Sequence, residues 1–155
     1  PKAAVDSLRP VFTVIGERVF DAGENPLSAT AIKIANNFVL GCAIEAIGEG
    51  HALVRKYDVD PLVFHQVLVG GLFNCTAYNA YGDLIANNDW GRLGASAVIG
   101  LKDANLSLEA AAPVGVQLPS VAIWKKGLEN AIARGEANLD WSVMAREQFR
   151  ASGLE

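Results

Sequence analysis

Apolar residues recur at helical spacing along most of this chain, and between residues 31 and 47 they run almost without a break. Residues 28–57 (SATAIKIANNFVLGCAIEAIGEGHALVRKY) contain no proline and predict one helix of about eight turns, on the order of 45 Å long. Within 31–47 only Lys33, Asn36, Asn37 and Glu45 interrupt the apolar run. A helix apolar on every side is expected to be packed by neighbours on all faces. Residues 1–15 read as a short amphipathic helix with Val5, Leu8, Val11, Phe12 and Ile15 on one side, although Pro10 is expected to kink or divide it. RVFDA, residues 18–22, reads as the one strand, and nothing else in the chain can pair with it.

Turn chemistry separates the remaining elements. GENP at 23–26 leads into the long helix, which Asn25-Pro26 or Ser28 can start. DVDP follows Tyr57, with Asp60 as N-cap and Pro61 as the first residue of a helix over 62–69 that Gly70 and Gly71 close. Further helices are expected over 75–86, 95–114, 119–134 and 141–151, with NNDWGRLG (87–94) as loop. Asp140 is the expected cap of the last helix, whose Ser142 and Glu147 suit a solvated side. The pattern is mainly α: an all-helical domain over 25–155 around one long central helix. Residues 1–24, a helix and a strand, look like the tail of an α/β domain.

Lys33 and Asn37 are four residues apart and share a helix face. A lysine there can snorkel its ammonium to solvent. It can also be desolvated, which lowers a lysine's pKa toward the range useful for proton transfer. Asn37 offers an acceptor and two donors to a substrate hydroxyl or carboxylate. The pattern alone leaves both readings open. Lys102-Asp103 is either a solvated pair or the edge of a cleft. His51 and His65 have no evident partner, and Phe73, Tyr78, Tyr81 and Trp90 suit core packing as well as a pocket wall.

Composition narrows the function classes. The chain has 155 residues, 51% hydrophobic and 19% charged, with net charge -4 and no basic cluster, so a nucleic-acid surface is not expected. Lysine and two asparagines inside the most apolar run argue against a membrane span. Cys42 and Cys75 sit singly in apolar surroundings, as buried free thiols of a reducing, cytoplasmic setting would. No metal-ligand spacing is present. The opening lacks an initiator methionine and a signal core, which predicts a piece of a longer protein. There is no G-x-G-x-x-G after a strand, no P-loop and no G-x-S-x-G; GEG at 48–50 lies inside a helix.

Taken in order, KIANN (33–37), EAIGEGHALVRKYDVDP (45–61), GLKDANLSLEAA (100–111), GVQLP (115–119) and ANLDWS (137–142) resemble the β-hydroxyacid dehydrogenases. That family includes 3-hydroxyisobutyrate dehydrogenase, and its C-terminal helical domain is of the 6-phosphogluconate dehydrogenase type. The resemblance covers nearly the whole chain, with residues 1–24 similar to the last helix and strand of the family's Rossmann domain. It implies that Lys33 is the general acid/base, that Asn37 and Asp103 bind substrate, and that Lys102 approaches NAD or NADP. It implies a small hydroxy acid or semialdehyde as substrate and a homodimer through the helical domain. The glycine-rich cofactor loop would lie upstream, so the chain alone is expected to be inactive.

Two positions depart from the family's habit. Pro26-Leu27-Ser28-Ala29 replaces a glycine-rich stretch, and Ala95 stands eight residues before Asp103, where many members place a phenylalanine. Imine reductases share the fold but usually replace the lysine; Lys33 favours hydroxy-acid chemistry. A non-catalytic helical dimerisation or ligand-binding module is the alternative of a different class.

Overall fold

The computed structural model describes residues 2–92 and 94–155. Among them it shows seven α-helices: α1 (Lys2–Ile15), α2 (Pro26–Lys56), α3 (Pro61–Gly70), α4 (Thr76–Asn87), α5 (Ala97–Ala111), α6 (Val121–Ala133) and α7 (Val143–Ala151). A 3-10 turn, Ala112–Val114, follows α5. The mainly α architecture expected from the hydrophobic pattern is the one that forms. Asn25 is the cap that starts α2: its side chain accepts from Leu27 N at 2.9 Å and Pro26 takes the first helical position. Asp60 and Pro61 repeat the device at α3, with Leu62 N donating to Asp60 at 2.8 Å.

Helix α2 is the axis of the domain. Its second half packs against α3, α4, α5, α6 and α7, and its buried residues are Gly41, Ile44, Ile47, Gly48, His51 and Ala52. Around Ile44 and Ile47 stand Ile85 of α4, Ala104 of α5, Trp124 and Leu128 of α6, and Met144 and Phe149 of α7. Gly48 sets the closest approach: a Cβ there would lie 2.6 Å from the Ala145 Cβ. Only glycine lets α2 and α7 come so close. By length and composition α2 could cross a membrane; its second half instead meets other helices of a core.

Several expectations do not survive. Residues 18–22 form no strand, and no strand occurs among the described residues; an extended segment with no neighbouring strand has no ladder to join. Pro10 does not divide α1, which runs through it, and Pro1 of the predicted helix lies outside the described residues. The first half of α2 is not enclosed: Leu27, Ile32 and Val39 are all exposed. Helix α5 ends early because Pro113 cannot donate to the ladder, so the chain tightens into the 3-10 turn and turns off at Gly115, φ +70°. Leu93 of the predicted loop lies outside the described residues.

At the C-terminal end, Ser142 and Glu147 are buried rather than solvated. Glu147 is tied to Arg134, whose Nε lies 3.0 Å from its carboxylate, and to Arg150. Glu136 binds Arg146 and Arg150, and the Arg150 hydrogen bond holds its carboxyl below the usual carboxylate range. The charges at α7 are therefore internal partners for one another and not a wetted face. Cys75 is exposed and Cys42 half-buried, so the expectation of two buried thiols fails for Cys75; both are free.

Candidate functional site

Two helices meet where α2 leaves the core. Asn37 sits half-buried one turn before Gly41, the first buried residue of α2. Opposite it comes α5, whose start is held firmly. Asp140, fully buried, accepts from Gly94 N at 2.7 Å, Ala95 N at 3.3 Å and Ser142 N at 2.9 Å. Trp141 N donates to Ala95 O at 2.8 Å and Ala97 N to Leu139 O at 2.9 Å. Gly100 then allows α5 to lie against Trp141, since a Cβ there would come within 2.8 Å of the indole ring. One turn later the helix presents Lys102 and Asp103.

The Asp103 carboxylate joins the two helices. Asn37 Nδ2 donates to Oδ2 at 2.9 Å, across 66 residues of sequence. Lys102 Nζ lies 2.9 Å from Oδ1. Asp103 is 8% exposed, so both of its oxygens are satisfied inside the joint, as a buried carboxylate requires. Ser107 Oγ donates to the Asp103 backbone carbonyl at 2.9 Å. Lys102 is more than half exposed.

Of the four predicted site residues, the fold therefore brings Asn37, Lys102 and Asp103 together. Lys33 lies one turn before Asn37 on the same face of α2, and it is exposed; of the two settings left open for it, these residues build the solvated one. The long helix has simply left its neighbours by that point. A cleft lies elsewhere, between α1 and residues 21–26. The Lys33–Asn37–Asp103–Lys102 face is an open one, suited to an anionic group approaching from outside. Its exposed ammonium groups fit a carboxylate or phosphate-bearing ligand, and nothing in it resembles a phosphate-cradling glycine loop.

Of the other candidates, Trp90, Tyr78, Tyr81 and His51 pack in or against the core, while Phe73 is 42% exposed. Trp90 packs on Phe149 with ring centroids 6.1 Å apart, and Trp141 Nε1 donates to Tyr81 Oη at 2.7 Å. Phe73 and Tyr78 stack at 4.8 Å. His51 is fully buried against Phe64, and neither ring nitrogen finds a partner. Burial foremost, then the charges of Arg55 and His65, push its pKa down to about 4. Asp140 was expected only as the cap of the last helix, which begins later, at Val143 with Ser142 in the cap position; its clamp on Gly94 and Ala95 spans more than 40 residues and leaves no trace in local spacing. Ser107 was not singled out from the sequence, although its place four residues after Asp103 puts it on the same face.

Residues 28–147 match the family described as NAD-binding of NADP-dependent 3-hydroxyisobutyrate dehydrogenase. The chain belongs to that family. All five motif segments that carried the resemblance fall within the matched span. An uncharacterized oxidoreductase of Bacillus subtilis, YfjR, is 32% identical over 94% of this chain and 51% of its own length. The 2-hydroxy-3-oxopropionate reductase of Escherichia coli is 26% identical over 94% of this chain and 49% of its own. A Mycobacterium tuberculosis 3-hydroxyisobutyrate dehydrogenase, solved with L-serine, shares the fold with a TM-score of 0.80 at 24% identity, over 96% of this chain and 52% of that one. The chain thus spans about half the length of the curated relatives it matches.

Proposed function

We propose that this chain is the substrate-binding and dimerisation domain of an NAD(P)-dependent oxidoreductase acting on a small 3-hydroxy acid or its semialdehyde. The observation that carries the reading is the joint of α2 and α5, where Asn37, Asp103 and Lys102 converge one turn from Lys33. Lys33 Nζ exchanges a proton with the substrate oxygen: it donates to the carbonyl oxygen in reduction and accepts the hydroxyl proton in oxidation. Asn37 holds the substrate beside it. Lys102 faces the cofactor, and NAD(P), when bound, supplies the hydride donor or acceptor. The openness of the face agrees with a cleft completed by another domain, with residues 1–24 as that domain's tail. Exposed Leu62, Val63 and Val67 on α3 and Val98 on α5 suit pairing of two helical domains. A cytoplasmic setting suits the two free thiols.

The relatives named above include a reductase of 2-hydroxy-3-oxopropionate, and a 2-(hydroxymethyl)glutarate dehydrogenase of Eubacterium barkeri is 26% identical over 99% of this chain. These names supply the substrate class offered here. In the full-length enzyme, Lys33→Ala is expected to lower kcat by about 10²–10⁴ while cofactor binding stays intact. Unchanged turnover would remove Lys33 from the chemistry.

A further inference from the structure

We propose that Asp103 is a positioning residue, which locks the Asn37 amide with its carbonyl oxygen facing the substrate and so selects ligands that donate a hydrogen bond. The inference rests on the functional reading above and revises the expectation that Asp103 itself binds substrate. An asparagine amide can ordinarily turn either end toward a partner, because its oxygen and nitrogen have the same shape. At Asn37 that freedom is gone. A carboxylate only accepts, so the NH₂ end faces Asp103 Oδ2 at 2.9 Å. Turning the amide over would set its oxygen against a charged oxygen at that distance. Asp103 is nearly closed to a ligand: it is 8% exposed, Oδ2 already accepts from Asn37, and Oδ1 has the Lys102 ammonium at 2.9 Å. Asn37 Oδ1 then remains free to accept, one turn from Lys33 on the same face of α2.

The consequence is a chemical preference. A hydroxyl or ammonium hydrogen can be received by Asn37 Oδ1; a bare carbonyl oxygen cannot bond there and is left to the amide's second N–H. Asp103 thereby favours binding of the alcohol form of a substrate pair over the carbonyl form.

The test uses the full-length enzyme and Asp103→Asn, which keeps shape and lets the Asn37 amide turn either way. KM for the hydroxy acid should rise about tenfold, the size of one hydrogen bond. KM for the carbonyl partner should change less than about twofold, and kcat should hold within about threefold. Should that variant fail to fold, Asp103→Ser carries the same expectation. Equal changes in both KM values, or a collapse of kcat with KM intact, would overturn the proposal. A second readout does not depend on turnover: the Asn37 side-chain amide resonance, identified by its loss in Asn37→Asp, should shift and sharpen toward free rotation in Asp103→Asn. An unmoved resonance sinks the positioning role. A shifted resonance in an enzyme that never oxidises a hydroxy acid sinks the functional reading and leaves the positioning in place.

Discussion

The two halves of α2 live in different solvents. From Gly41 onward the helix is a core element, with Ile44 fully buried and glycines at 41 and 48 where aromatic and helical neighbours press closest. Before Gly41 the same apolar composition stands in the open, with Ile32 59% and Val39 61% exposed. One continuous hydrogen-bonded rod therefore serves two purposes. The buried half fixes the rod in the domain, and the projecting half carries Lys33 and Asn37 outward at a defined angle. A ligand can be met only where packing stops, because a residue enclosed like Ile44 could not reach one.

The sharpest way to break that division is to place a side chain where α2 and α7 press closest. Gly48→Val puts a Cβ 2.6 Å from the Ala145 Cβ and 2.9 Å from its Cα, so the α2 and α7 backbones must part. Overpacking in a core typically costs 1–3 kcal/mol and more when backbone must move, so a loss of about 3 kcal/mol or more is expected in urea melts of the 155-residue chain. A loss below about 1 kcal/mol would mean that the crossing is looser than these contacts show.

Next in size comes pH. Burial foremost, then the Arg55 and His65 charges, lowers His51 from 6.5 in the unfolded chain to about 4. Between those values the unfolded state binds more protons, so this group's contribution to stability grows as pH rises. Glu45 is moved the other way, from 4.5 to about 7, by burial first and by Glu49 second. Over its window the folded state binds more protons, and stability falls as pH rises. Both residues belong to the buried half, and between pH 4.5 and 6.5 their slopes oppose. Glu45→Gln should expose the His51 slope: stability should climb by up to about 2 kcal/mol from pH 4.5 to 6.5, where the parent stays flatter. Parallel pH profiles for parent and variant would show that the two groups do not offset each other.

What the sequence made legible follows the same division. Helical spacing, Asn25-Pro26 and Asp60-Pro61 placed the starts of α2 and α3, because caps and periodicity are local. The motif order placed the family and brought Asn37, Lys102 and Asp103 into view. An apolar composition could not say which stretch of α2 is covered, since burial depends on what packs there. Ser142 and Glu147 failed for the same reason: their polarity suited water, but neighbouring helices cover both, and Arg134 and Arg150 supply ionic partners to Glu147. The strand at 18–22 failed because β-propensity needs a neighbouring strand to act on. The clamp of Asp140 on Gly94 was hidden by distance along the chain.

The smallest effect is the most telling for the projecting half. Ile32→Ala removes a large apolar side chain from a helix, a change that costs 2–5 kcal/mol where such a residue is enclosed. Ile32 is 59% exposed and gives up little contact, while alanine is the better helix former. In the 155-residue chain the change should shift unfolding by no more than about 0.5 kcal/mol, in either direction. The matching substitution one and a half helical turns past Gly41, Ile47→Ala, supplies the contrast, since Ile47 is 3% exposed. Equal losses from the two changes would mean that the first half of α2 is covered in solution by something as close-packed as the core, and that the open face carrying Lys33 is closed.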